Sequence, residues 1–218
     1  MIERRWNQLA GRNRLASAVL IALVVCVLGP PSAVFADTPL LAKKIEFDGA
    51  DGEELFRLDP ESAGVELQRA KGKKRLATYE REGKKLAIDL PKVGDGGSVE
   101  FNGKQMHFQL RDAKGTVRWV LLQEPDKDWR LTDPAGKLHC KLKLRDDGLK
   151  LVDASDTTHA RIKVKEDKIS IRNGDGKEIL RTKDTRSALA AACFQLKGLS
   201  MPEKGAFALA AITYLPKK

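Results

Sequence analysis

The residues whose types and spacing could do chemistry gather in one part of this chain. His139 adjoins Cys140, and His159 follows twenty residues later, the one grouping that resembles a metal site. Imidazole and thiolate both ligate zinc, but a strand sends successive side chains to opposite faces. Leu138, Cys140, Leu142 and Leu144 share one face, which puts His139 on the other with Lys141 and Lys143. One ion cannot take all three groups, so no metal and no other cofactor is expected. Asp133, Asp146, Asp147 and Asp153 could ligate calcium, yet they are also the residues that turns prefer. The chain has no Cys-x-x-Cys, no His-x-x-x-His and no Gly-x-Ser-x-Gly nucleophile elbow. Gly94-Asp95-Gly96-Gly97 precedes no helix pattern and reads as a plain loop instead of a phosphate cradle. No catalytic set emerges, and a non-enzymatic protein is expected. An envelope hydrolase or metal-dependent enzyme is the alternative, its site assembled from residues that the sequence does not connect.

Two further sets bear on function. Lys137, Lys141, Lys143 and Arg145, with Arg161, Lys163 and Lys165, form outward basic rows on two strands. Such rows suit anionic lipid head groups or another envelope polyanion, and they also keep exposed strands soluble and unpaired. Cys140 and Cys193 are either buried free thiols or a structural disulfide, and spacing does not choose between them.

The elements that must carry these residues are repetitive. Cut every twenty residues without a gap, 130–149, 150–169 and 170–189 stack as three copies. Leu131, Leu151 and Ile171 share a column, as do Asp133, Asp153 and Asn173, and the third copy matches only in its first half. Each copy reads as strand, turn, strand, turn. From Lys43 onward turn signals recur every ~8–12 residues between runs of alternating polarity. They predict an antiparallel meander of about twelve strands closing as a barrel or sandwich. Asn102-Gly103, Asp147-Gly148 and Asn173-Gly174 suit hairpin turns, where positive φ is cheap.

After Lys183 the period of two is lost and alanine dominates. Two short helices are expected, over 185–197 and 201–215, separated by Gly198 and by a Ser200-x-x-Glu203 capping signal. Between Ala206 and Leu215 the polar groups are Thr213 and the Tyr214 hydroxyl, so that helix should be buried within or against the strands.

The meander, the apolar C-terminal helix and the turns Asp133–Lys137 and Asn173–Lys177 together resemble the tubby C-terminal-like superfamily, which includes phospholipid scramblases and LURP-one-related proteins. The resemblance covers Lys43 to Leu215. It implies a β-barrel around a hydrophobic C-terminal helix and association with anionic phospholipid. The helical region here is split at Gly198–Pro202, unlike the single central helix of that group, and no functional residue carries over.

The first 36 residues read as a secretory signal. Arg4, Arg5, Arg12 and Arg14 precede an apolar run from Leu15 to Leu28, and Val34-Phe35-Ala36 suits cleavage after Ala36. The run is short of a membrane span. Residues 37–218 then form one β-rich domain, periplasmic or extracellular. Removing the leader takes four of 40 basic and one of 30 acidic residues, leaving a net charge of +7. Acids and bases interleave throughout, which argues against nucleic acid as partner. No later run has the ~18 apolar residues of a membrane span.

Overall fold

A computed structural model of the chain describes residues 39–184 and 186–215; the leader and its cleavage site lie outside the described residues. Alternating polarity between turns yields fourteen strands. They are β1 (Ile45–Gly49), β2 (Glu54–Pro60), β3 (Val65–Arg69), β4 (Lys74–Glu82), β5 (Lys85–Leu90), β6 (Gly94–Asn102) and β7 (His107–Arg111), followed by β8 (Val117–Gln123), β9 (Trp129–Thr132), β10 (Leu138–Arg145), β11 (Gly148–Asp153), β12 (Thr158–Val164), β13 (Ile169–Asn173) and β14 (Glu178–Thr182). Each pairs antiparallel with its sequence neighbours, and β1 pairs with β14, so the sheet closes as a barrel with no edge. About twelve strands were expected. The difference arises because each turn signal separates two strands, and closure decides barrel over sandwich.

The repeat extends around the whole barrel. In every pairing of an odd strand with the even strand after it, the even strand carries one extra residue. These bulges fall at Leu55, Leu76, Gly97, Arg118, His139, His159 and Ile179. The pairings of even strands with the following odd strand keep an unbroken register. One rim is therefore bulged at seven points and the other is plain. A bulge bends its strand and sharpens the twist, which is how a sheet turns the corners of closure.

Four turns on the bulged rim share one construction: Asp112–Thr116, Asp133–Lys137, Asp153–Thr157 and Asn173–Lys177. The first residue's N–H donates to the fifth residue's carbonyl, and the fourth N–H donates back to the first carbonyl. The fifth N–H donates to the first residue's side-chain oxygen at 2.9–3.0 Å. The fourth residue has positive φ: Gly115, Gly136, Asp156 and Gly176. Positive φ thus falls at Gly176 and not at Gly174, and in the β6–β7 turn at Met106 and not at Gly103. Nor is Gly94–Gly97 a loop. The turn is at residues 91–93, and the glycines open β6, where a Cβ on Gly97 would stand 2.0 Å from the Arg111 carbonyl oxygen.

Leu58, Leu67, Leu86, Leu121, Leu131 and Ile162 project inward and are fully buried. They enclose α1 (Ala188–Cys193) and α2 (Met201–Tyr214). The first helix is shorter than the predicted 185–197. The chain leaves β14 at the plain rim, and residues 195–200 lie by the bulged rim, where a Cβ on Gly198 would meet the Trp119 ring and Lys197 Nζ is 3.2 Å from His159 Nδ1. The second helix returns to the plain rim, where Tyr214 donates to the Gly83 carbonyl at 3.0 Å. A helical hairpin is thus threaded through the barrel. Residues Ala206 to Ala211 are at most 2% exposed, as a helix with no polar face requires. Glu203 closes its N-terminus by accepting both the Ser200 N–H at 2.7 Å and the Ser200 hydroxyl at 2.9 Å.

Candidate functional site

The outer wall of β10–β13 concentrates the basic residues. Register places Lys143 opposite Lys150, Lys150 opposite Arg161, and Arg161 opposite Arg172. Four cations therefore stand side by side across four adjacent strands. Like charges directly opposed destabilise a sheet, so strand formation alone does not favour this row. Lys143 is held by Asp156 at 2.6 Å, and Arg172 donates to the Gly176 carbonyl at 3.3 Å. Lys150 and Arg161 have no ion-pair partner among the described residues.

The rows expected from sequence are rearranged by this register. Lys141 is paired with Glu124 at 3.0 Å and Lys163 with Asp147 at 2.9 Å. Arg145 donates to the Leu144 carbonyl. Lys165 is exposed in the β12–β13 turn at the plain rim, and Lys137 lies at the opposite rim, in the β9–β10 turn. The seven residues do not form one patch, and Lys137 falls outside it. Lys150 and Arg172, which complete the row, were missed because alternation assigns a face but not a cross-strand partner.

Beside the row is a cavity of about 300 Å³ lined by Arg145, Lys150, Arg161 and Lys163, with Asp146, Asp147, Leu149 and Ile162. The Lys163 hydrogen bond holds the Asp147 carboxyl below its usual range, and Arg161 adds to the effect. A larger groove of about 520 Å³ crosses β4–β7, between Glu80, Asp89 and Asp95 on one side and Arg111 on the other.

His139 and His159 occupy equivalent bulges, as the repeat predicts, with β11 between their strands. His159 Nε2 lies 2.8 Å from Asp153 Oδ2. Lys197 Nζ lies 3.2 Å from its Nδ1, a contact that an ammonium donor makes with the ring when the proton is on Nε2. His139 packs edge-on to Trp119, with ring centroids 4.4 Å apart, and stands 4.0 Å from Asp133. Two of the turn aspartates, Asp133 and Asp153, are engaged by backbone, and Asp147 by Lys163. Asp153 accepts from Ser155 Oγ, Thr157 N, His159 and Ser155 N, and these bonds, led by the Ser155 hydroxyl, hold its carboxyl far below the usual range. Among the described residues no group of three or more His, Cys, Asp or Glu side chains is arranged to hold a metal ion.

Cys140 and Cys193 are both buried free thiols. Burial pushes the Cys140 thiol up to about 12 and Cys193 higher still, with Cys140 adding to the latter. Among the described residues no helix is long and apolar enough to cross a membrane.

No family model and no curated protein matches this chain. Among solved structures, an alternansucrase in complex with isomaltononaose is similar over 56% of this chain and 13% of that one, at 12% identity and a TM-score of 0.14. A likeness that slight assigns neither fold nor activity.

Proposed function

We propose that this protein is an exported, non-enzymatic barrel of the cell envelope that holds an anionic partner, a phospholipid surface or another envelope polyanion, against the outer wall of β10–β13. The observation that carries this reading is the row Lys143–Lys150–Arg161–Arg172. Four directly opposed cations cost the sheet stability, and an anion laid across them would remove that cost. Strands lie about 4.8 Å apart, so the row spans about 14 Å and presents its charges at a pitch suited to an extended array of anions. The interior is filled by side chains and the helical hairpin, which supports a reading based on the outer surface. Export agrees with the leader reading of residues 1–36.

Replacing Lys143, Lys150, Arg161 and Arg172 with glutamine should leave the fold intact and weaken salt-dependent binding to vesicles of anionic phospholipid. If the unaltered protein fails to bind such vesicles even at low salt, a phospholipid surface is excluded as the partner.

A further inference from the structure

On the outer face of this sheet, Gly148 is surrounded by cations. Arg145 stands directly opposite it on β10, and Lys163 directly opposite it on β12. Lys150 is the next outward residue on its own strand, and Arg161 lies diagonally across from it, opposite Lys150. Where each neighbour projects a long side chain, position 148 projects none, and the result is the cavity of about 300 Å³ described above. No other residue fits that position. The φ of Gly148 is +140°, and a Cβ there would stand 2.1 Å from the Ile162 carbonyl oxygen. The hairpin tip is also tied to the wall, because Val164 N–H donates to the Asp147 carbonyl at 2.8 Å. The site is thus a fixed depression in a sheet, walled by two guanidinium and two ammonium groups.

We infer that this depression binds a phosphomonoester group, an inference that rests on the anion-binding reading above. Charge selects the ligand class. Four cations and the carboxylates of Asp146 and Asp147 leave a surplus of two positive charges. A phosphomonoester carries about −1.5 to −2 near neutral pH and matches that surplus, whereas a carboxylate or phosphodiester carries one charge and leaves it half filled. Geometry agrees. Lys163 is already oriented by Asp147, and the planar forks of Arg145 and Arg161 suit the several oxygens of a phosphoryl group. Arg145 and Lys163 straddle the glycine, with backbones about 9.6 Å apart at two strand spacings, which leaves room for the group between them. Leu149 and Ile162 line the remainder and offer apolar contact to whatever carries the phosphate.

The test titrates the whole protein with glycerol 3-phosphate, a soluble phosphomonoester, by calorimetry at about 0.15 M salt, with dimethyl phosphate as the diester control. Saturable one-to-one binding is expected, with dimethyl phosphate several-fold weaker. The double variant Lys150→Gln/Arg161→Gln should weaken binding about tenfold or more, as loss of charge-assisted hydrogen bonds does. The double variant Lys114→Gln/Lys137→Gln removes the same charge at the bulged rim and should change binding less than about twofold, its charges lying beyond a screening length. Vesicles of phosphatidic acid and of phosphatidylglycerol, each in phosphatidylcholine, separate the sources. A preference for phosphatidic acid that glycerol 3-phosphate competes away marks a lipid head group. Saturable glycerol 3-phosphate binding without that preference marks a soluble phosphomonoester. Either supports the inference. Equal weakening by both double variants, or equal affinity for monoester and diester, overturns it and leaves a diffuse basic face, provided that anionic vesicles still bind. Failure of every vesicle to bind at low salt excludes a phospholipid surface from the broader reading as well.

Discussion

Gly205 offers a test of how tightly the helical hairpin fills the barrel. It lies within α2, where its φ is ordinary and alanine would by itself favour the helix by about 1 kcal/mol. Yet a Cβ there would stand 2.3 Å from the Tyr79 hydroxyl, and 3.1 Å from both Tyr79 Cζ and Leu67 Cδ2. Tyr79 is fully buried, burial pushes its phenol well above the ordinary value, and the hydroxyl donates to the Pro202 carbonyl at 2.8 Å. Gly205→Ala must therefore displace that ring. Overpacking costs about 1–3 kcal/mol, and stranding a buried hydroxyl costs about 1–3 kcal/mol more. Set against the gain in helix propensity, the net loss should be about 1–5 kcal/mol, a large part of a typical stability of about 5–15 kcal/mol. Tyr79→Phe alone should cost about 1 kcal/mol for the lost hydrogen bond. The double variant is decisive. With the hydroxyl gone, the 2.3 Å contact disappears and the remaining contacts at 3.1 Å require only small shifts. Tyr79→Phe/Gly205→Ala should then be about as stable as Tyr79→Phe, and several kcal/mol better than additivity. Urea denaturation of the four proteins, followed by circular dichroism, measures the cycle. Strict additivity, or a Gly205→Ala protein as stable as the parent, would show that α2 does not press on the wall at this point.

Two further outcomes follow from the same structure. Truncation before Ser200 removes Phe207, Leu209 and five buried alanine and glycine positions from the interior, so the shortened chain should lose its cooperative melt; a transition within a few degrees of the full protein would place α2 outside the core. Asp153 has a folded-state value below its unfolded one, so the stability it contributes is complete above about pH 4 and is lost as pH falls through the depressed value. Asp153→Asn keeps the turn bonds, as Asn173 does in its own turn, but cannot titrate. Its melting temperature should lie below the parent's at pH 7, and the gap should begin to narrow below about pH 4 and shrink further as pH falls towards the depressed value; a gap independent of pH refutes the assignment.

Much of this was legible in the residues because it is local. Alternation along Leu138–Leu144 assigns faces, Asp-x-x-Gly builds a turn from its own backbone, and a segment such as Phe207–Ile212 can only be buried. The repeat was legible only in part, for a physical reason. Leu55, Leu76, Gly97, Arg118 and His139 follow one another at steps of 21 residues, and His159 and Ile179 at steps of 20, so a gapless cut at twenty aligns only the last copies. Of the earlier rim turns, Gly49–Glu53 keeps the backbone bonds and the positive φ at Gly52 but has no side-chain acceptor at its first residue, and the next two place positive φ at Gly72, Lys73 and Lys92. What opposes what was not legible at all. That Lys150 stands between Lys143 and Arg161, and that Gly148 lies bare between Arg145 and Lys163, depends on register between strands. Register in each hairpin is set by the length and type of its turn and by bulges, so the pairs follow only once the two-residue turn between Arg145 and Gly148 and the extra residue at His159 are known. The sequence by itself determined the strands, their faces and the buried helix; the tertiary structure alone decided which charges meet, because meeting is a property of neighbours in space and not along the chain.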